Sequence, residues 1–514
     1  MPRFAIASRF AIACSAIICL TVGLFHLSLT TSGLSITHAS VGSTPVTIYR
    51  PEKQQTGPAV AIAHGFAGSQ QLMQPFAVTL ARNGYTAVTF DFLGHGRNPI
   101  PMRGDITQGE AITTALMNEL AQVTAYAEQL TGVDGRVAVL GHSMASDIVV
   151  RFAQAHPHVQ ATVAVSAFAP VATATTPRNL LVIVGAMEPA MLIDEAMRIV
   201  NLAAGGKAVE RTTYGRFEDS TARRLALAKG VEHIGVLYSP DSMVEALNWM
   251  NAVFGRTQSD YIDQRGFYLG LVFLGLVALA WPLSSLLPIT TAIPTGASLG
   301  RKPLLIAALA PAVLTPLILW KLPTDFLPIL LGDYLALHFA AYGLLTALTL
   351  ILLRRWLGSA NESIGAAISY QGIIIAAAAV AFYEIAGFGI PTNAYVFSFI
   401  PIPGRIVLIA AIACGTVPYF MADEWLTRGY AASRGAYPLT KLCFLLSLVI
   451  AILLNPQKLF FLAIIAPVIL LLFLAFGLIS WWSYRRTNHP FAGALANAAF
   501  FAWAIAVTFP MIVR

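Results

Sequence analysis

From residue 267 onward the sequence is a succession of apolar runs with short polar breaks, near 267–288, 303–322, 333–353, 365–388, 403–421, 438–455, 459–482 and 491–513. About 20 residues rising roughly 1.5 Å each span the ~30 Å of bilayer hydrocarbon. Backbone in lipid has to satisfy its own hydrogen bonds, so runs of this length and texture are expected to be helices. Residues 267–514 therefore read as an all-α polytopic membrane bundle of about eight transmembrane helices. A further uncharged run, Phe10–Thr30, follows Arg3 and Arg9 and makes a ninth. It is longer than the roughly 7–15 apolar residues of a signal peptide. Residues 1–30 are thus read as an uncleaved signal anchor, with cleavage before Ser40 as the alternative. The whole chain is only 11% charged, against about 25% in soluble domains, which requires much of it to face lipid.

The net charge of +7 does not imply a nucleic-acid partner, because the basic residues form no stripe or patch. Many sit at the ends of apolar runs and carry an orientation signal. With the N-terminus in the cytoplasm, the inside segments hold Arg3, Arg9, Arg301, Lys302, Arg354, Arg355, Arg428, Arg434, Lys441, Arg485 and Arg486, eleven in all. The short outside segments hold four: Lys321, Arg405, Lys458 and Arg514. The expectation is a multi-pass protein of the cell (cytoplasmic or inner) membrane, with the lipid bilayer as partner and residues 31–265 on the outer, periplasmic or extracellular side. Cys14, Cys19, Cys414 and Cys443 all fall in apolar runs. The polar middle of the chain therefore holds no disulfide, and an oxidising compartment is permitted without being indicated.

Between residues 31 and 255 the texture changes to short β-branched runs alternating with helical patterns. Strands are expected at Val46–Tyr49, Ala59–Ala63, Thr86–Phe90, Arg136–Leu140, Ala161–Val165, Leu180–Val184 and Arg224–Ala228. Helices such as Glu110–Leu130 and Met243–Phe254 lie between or after them. This alternation predicts a mostly parallel sheet with helices on both faces. The polar stretch 256–266 reads as a linker.

Within this domain Val137 to Ala145 reads V-A-V-L-G-H-S-M-A, an apolar strand running through Gly141-His142-Ser143-Met144-Ala145 into a helical pattern. Such a sharp strand-to-helix turn exposes a serine hydroxyl at the carboxyl edge of a sheet. His64-Gly65-Phe66-Ala67-Gly68-Ser69 follows an earlier strand, and Asp91-Phe92-Leu93-Gly94-His95-Gly96-Arg97 follows the next. In this order and spacing the three blocks resemble the α/β-hydrolase family, with its H-G-F/W start and D-x-x-G-H-G-x turn. The resemblance covers about residues 40–250.

It implies an α/β-hydrolase domain over 31–255, with Ser143 as nucleophile and the backbone N–H groups of Phe66 and Met144 as an oxyanion hole. The family order then calls for an acid and a histidine further along. Glu188 in Gly185-Ala186-Met187-Glu188 matches the family's acid turn, and His233 in Gly230-Val231-Glu232-His233 matches its histidine block. Asp194 is a second candidate acid, and Glu232 adjoins the histidine but is expected to face away from it. His64, His95 and His142 read as structural hydrogen-bonders, His64 and His142 at the rim of the binding site. Only Ser166 to Asn179 separate two expected strands where many relatives insert a helical cap, so no cap domain and an open site are expected. The implied chemistry is cleavage of an ester, thioester or amide of a small or lipid-like acyl substrate through an acyl-enzyme, with no cofactor and no metal. The alternative is a non-catalytic module serving a membrane transporter or sensor.

The apolar runs also carry ionisable residues, which are costly in lipid and often functional. Asp333, Asp423 and Glu424 read as interfacial, and Glu384 and His338 as members of a polar network. Asp423-Glu424-Trp425-Leu426-Thr427-Arg428 resembles, faintly, the E-E-x-x-x-R motif of CAAX-protease and bacteriocin-processing membrane proteins. Position 493, where that family carries a histidine, is Gly493, so no proteolytic site is expected there.

Overall fold

The computed structural model describes residues 3–513 except 54–55, 105–108, 258–260 and 358–366, with residues 3–5 and 357 described by backbone alone. Part of the expected linker, the Arg3 side chain and Arg514 thus lie outside the described residues. The chain divides into two compact units. One holds Val22–Gly270 with Thr392–Phe399 and Thr508–Arg514; the other holds Met1–Thr21, Leu271–Pro391 and Ile400–Val507. Thr392–Phe399 and Thr508–Arg514 fall within the stretch whose texture reads as membrane bundle.

After helix α1 (Arg3–Thr30), the first unit builds a nine-stranded sheet. Its strands are β1 (Leu34–Val41), β2 (Thr44–Pro51), β3 (Gly57–Ala63), β4 (Thr86–Phe90), β6 (Val133–His142), β7 (Val159–Val165), β8 (Leu180–Gly185), β9 (Thr213–Tyr214) and β10 (Arg223–Ala228). A short β5 (Met102–Arg103) stands outside it. The order is β1-β2-β4-β3-β6-β7-β8-β10-β9. From β4 to β10 every neighbour is parallel, whereas β1, β2 and β9 run antiparallel at the edges. All seven expected strands are present.

Helices α2 (Gln74–Arg82), α3 (Gly109–Glu128), α4 (Met144–Ala155), α5 (Ala190–Ala204) and α6 (Pro240–Phe254) cover the sheet. Side chains alternate across a strand, and β8 shows the result. Leu181 and Ile183 join Phe76 of α2 and Trp249 of α6 in one core. Leu180, Val182 and Val184 join Ile199 and Val200 of α5 in the other. Each such side chain contributes roughly 1.5–3 kcal/mol on burial. Both faces are therefore dry, and polar chemistry is confined to the strand ends. The fold is an α/β hydrolase with no cap between β7 and β8.

The stretch read as a linker is tied down where it is described. Asp263 and Arg265 are buried against each other, with Arg265 Nε 2.9 and 3.0 Å from the two carboxylate oxygens. Arg265 also donates to Gln74 Oε1 at 2.5 Å, and Asn83 Nδ2 donates to the carbonyl of Tyr261 at 2.8 Å. Polar composition here marks an internally neutralised contact rather than a solvated tether.

The second unit is helical. It contains α8 (Arg301–Leu319), α9 (Gly332–Leu357), α10 (Tyr370–Phe382), the π-turn Tyr383–Phe388, α12 (Pro403–Thr427), α13 (Ala436–Leu454), α14 (Pro456–Thr487) and nearly all of α15 (Phe491–Thr508). It also takes most of α7 (Arg265–Leu283) and the start of α11 (Gly389–Tyr395). Among the described residues nine helices, counting α1, are long and apolar enough to cross a membrane. Glycines set the packing of α9 on α12. A Cβ at Gly415 would strike the Ala336 carbonyl, and one at Gly343 would strike the Tyr419 backbone, a close approach that small residues allow.

Candidate active site

Strand β6 lies in the middle of the parallel sheet and ends in a sharp turn at Ser143. Ser143 sits there with φ 54° and ψ −117°, a left-handed conformation that non-glycine residues adopt at a cost and mainly at functional sites. Its N–H donates to the Val165 carbonyl at 2.8 Å, and α4 begins at the next residue. Gly141 has to be glycine, because a Cβ would run into the Ala145 carbonyl on the first turn of α4. The hydroxyl is thereby raised half-exposed at the carboxyl edge, in the nucleophile-elbow arrangement.

Two loops from other strands meet it. Ser143 Oγ is 2.9 Å from His233 Nε2, and His233 Nδ1 is 2.6 Å from Glu188 Oε2. With Nδ1 donating to the carboxylate, Nε2 is left to accept from the serine hydroxyl. Glu188 is held through its other oxygen, which accepts from Ser166 Oγ at 2.7 Å and from the Gly185 N–H at 2.8 Å. A Cβ at Gly185 would strike the Val231 carbonyl, so this glycine lets the acid turn pack against the histidine loop. Asp194, the second candidate acid, lies exposed on α5. Glu232 turns back on its own loop, accepting from the N–H groups of Ile234 and Gly235 at 2.8 Å each.

The block 64–69 lies beside the serine. A Cβ on Gly65 would come within 2.9 Å of Ser143 Cβ and 3.0 Å of His142 Nδ1, which sets the Phe66 backbone next to Ser143. Met144, at the first position of α4, follows it directly. His64 and His142 are not at a rim, as the sequence pattern suggested, but are buried at 0% and 2% exposure. Both nitrogens of His64 and Nε2 of His142 are spent on backbone groups. His64 Nδ1 donates to the Gly65 carbonyl at 2.8 Å and Nε2 accepts from the Phe92 N–H at 3.1 Å. His142 Nε2 donates to the His233 carbonyl at 3.0 Å. Burial pushes both imidazoles below the ordinary histidine range, His142 furthest, which keeps them neutral. His95 bonds the Leu93 carbonyl at 2.9 Å. Asp91 pins the loop after β4 by accepting from the N–H groups of Gln70 and Arg97.

Sequence reasoning missed Ser166, whose only local signal is its place at the end of a β-branched strand; it too has a left-handed φ of 53°. Also missed were the two distant segments of this unit. Ser398 N–H donates to Ser69 Oγ at 2.9 Å, Arg97 Nη2 to Asn393 Oδ1 at 3.2 Å, and Tyr238 Oη to the Tyr395 carbonyl at 3.2 Å.

The ionisable residues singled out in the apolar runs are buried, including the three read as interfacial: Asp333, Asp423 and Glu424 are at most 2% exposed. Asp423 pairs with Lys441, and Glu424 with Arg428 at 2.8 Å. Lys441 and Arg428 are thus helix-packing charges rather than free loop charges, and Arg405 is likewise buried, donating to the Ala506 carbonyl at 2.6 Å. Glu384 is buried and hydrogen-bonds nothing among the described residues, so it joins no polar network; His338 is hydrogen-bonded to Tyr334 Oη at 3.4 Å and otherwise packs against the rings of Tyr342 and Phe444. Among the described residues no three His, Cys, Asp or Glu side chains gather as metal ligands would.

Residues 54–209 match the family model described as serine aminopeptidase, S33. Solved structures similar to this chain include a protein from Klebsiella pneumoniae assigned as a dienelactone hydrolase. It is 15% identical, with a TM-score of 0.32 over 44% of this chain and 99% of that one. Another is a hydrolase from Thermoplasma acidophilum described as CIB-like, 16% identical, with a TM-score of 0.32 over 42% of this chain and 95% of that one. No curated protein matches the chain. The doubly covered parallel sheet and the elbow at the end of β6 are those of the α/β-hydrolase fold, and residues 54–209 match a family of that fold.

Proposed function

We propose that the protein is a membrane-anchored serine hydrolase that cleaves an ester, thioester or amide through an acyl-enzyme on Ser143. The observation that carries this reading is the continuous hydrogen-bonded chain Ser143–His233–Glu188 beneath a strained elbow. His233 Nε2 takes the hydroxyl proton as Ser143 Oγ bonds to the substrate carbonyl carbon. The same proton passes to the leaving group as the scissile bond breaks. Water then repeats the sequence, releasing the acid and restoring the serine. Glu188 orients the imidazole and offsets its transient charge. The N–H groups of Phe66 and Met144 hold the oxyanion, where each such donor typically contributes about 3–4 kcal/mol.

Exposed apolar side chains on the loops after β7 and β8, Phe168 and Met187, favour a substrate with an apolar acyl part. The family description names an aminopeptidase, which keeps amides among the candidates. Nine crossings with the N-terminus inside put residues 31–264, 396–399 and 509–513 on one side, and these segments share the hydrolase unit. That parity supports the bilayer as partner and a hydrolase domain on the face opposite the N-terminus.

The test is Ser143→Ala in the full chain. It is expected to abolish fluorophosphonate labelling and cleavage of short p-nitrophenyl esters while leaving folded yield unchanged. Undiminished activity in the variant overturns the assignment, and an unlabelled wild type favours a non-catalytic module.

A further inference from the structure

We propose that Phe509 is a positioning residue of the hydrolase site, holding Phe66 so that its backbone N–H faces the oxyanion; this rests on the reading of Ser143 as nucleophile.

The loop that carries Phe66 has little regular structure to hold it. Ala67 is forced to φ 55°, and one backbone bond, Gly68 N–H to the Gly65 carbonyl at 3.1 Å, closes the turn. A loop under such strain keeps its geometry only when its surroundings impose it. Gly65, on the other side of Phe66, is already in contact range of Ser143, so a small shift of Phe66 moves the donor relative to the nucleophile.

The surroundings are aromatic. The Phe66 ring meets His95 edge-on at 6.1 Å and 86°, and Phe509 at 6.3 Å and 64°. His95 is fixed through its bond to Leu93 and its contact with His64 at 5.1 Å. Phe509 is itself 2% exposed and is fixed by the strand that follows it. Ile512–Val513 (β11) pairs in parallel with Met102–Arg103 of β5. Met511 N–H donates to the Gly94 carbonyl at 2.8 Å, the Met511 carbonyl accepts from Met102 N–H at 2.9 Å, and the Val513 carbonyl accepts from Gly104 N–H at 3.2 Å. Gly94 has φ 74°, and a Cβ there would strike the Met511 carbonyl. A segment far away in sequence is thus stitched to the turn after β4, with one ring applied to the oxyanion loop.

The experiment compares full-length wild type, Phe509→Ala and Phe509→Tyr in detergent, each normalised to sites titrated with fluorophosphonate. Losing an oxyanion donor outright typically costs about 10²–10³ in kcat, so a displaced donor is expected to cost less. Phe509→Ala is expected to lower kcat per titrated site for p-nitrophenyl butyrate about tenfold, with KM within about twofold; loss of the buried ring also lowers the melting midpoint, which normalisation to titrated sites separates from kcat. Phe509→Tyr is expected to restore it. A purely structural role would lower the number of titratable sites and leave kcat per site intact, which overturns the proposal. So does wild-type kcat in Phe509→Ala when the wild type labels normally. A wild type that does not label at all overturns the Ser143 reading, and this inference with it.

Discussion

His142 Nε2 donates to the backbone carbonyl of His233 at 3.0 Å, so the residue before Ser143 ties down the loop that carries His233. Its Nδ1 faces no acceptor among the described residues, and the buried ring is held well below the ordinary histidine pKa, first by burial and then by the nearby His233. The unfolded chain therefore binds more protons than the folded one once pH drops below about 6.5. Stability is full above that value and falls as pH is lowered, by up to about 1.4 kcal/mol per pH unit. His64, lowered by burial too, acts in the same direction. The melting midpoint is expected to fall between pH 7.5 and 5, and His142→Asn to flatten part of that fall. An equally steep fall in the variant would place the effect elsewhere.

Glu188 and Asp194 separate cleanly. Glu188→Gln keeps the shape but removes the negative charge and disturbs the donor role of His233 Nδ1, and is expected to lower kcat about 10³–10⁴-fold. Asp194→Asn, on the exposed face of α5, is expected to leave kcat within about twofold. Equal losses in ester hydrolysis would refute this assignment of the acid.

Ser166→Ala removes one of two donors to Glu188 Oε1. A hydrogen bond to a charged group contributes about 1.5–3 kcal/mol, of which only the part that misaligns the acid in the transition state reaches kcat. kcat is expected to drop about three- to tenfold, with Ser166→Thr recovering most of it. No change in kcat would mean that the Gly185 N–H alone orients the acid.

The orientation predicts the behaviour of fused reporters. A reporter active only outside the cytoplasm is expected to work after Gly255 and to fail near Arg301. The reverse pattern would invert the topology.

Glu424→Gln is expected to leave ester hydrolysis per titrated Ser143 unchanged and to lower folded yield. Its partner Arg428 is 3% exposed, and breaking a buried ion pair costs about 3–5 kcal/mol. Cleavage of a membrane peptide that is lost in Glu424→Gln and kept in Ser143→Ala would instead make the helical unit a second enzyme.

Buried parallel strands are legible because both of their faces demand apolar residues, which is why the runs at Ala59–Ala63 and Leu180–Val184 stand out. Strand β1 escaped because Leu34–Val41 is an edge strand with most side chains in solvent. Its sequence, L-S-I-T-H-A-S-V, therefore looks like loop. Ser143, Glu188 and His233 are readable from the turns that bear them. Ser166 is not, since its role depends on β7 and β8 lying side by side. The Asp263–Arg265 contact and the Phe509 contact are invisible for the same reason: each depends on a partner that composition cannot name.

Strand β11 also sets an order of events during synthesis. Residues 508–513 emerge from the ribosome only after all nine apolar helices have been made. Until then the β5 segment has no partner and the ring of Phe509 is absent from the oxyanion loop. A nascent or truncated chain would carry Ser143, His233 and Glu188 with that loop unbraced. On the proposed reading of Ser143 and Phe509, full hydrolytic power would arrive only with completion of the helical unit.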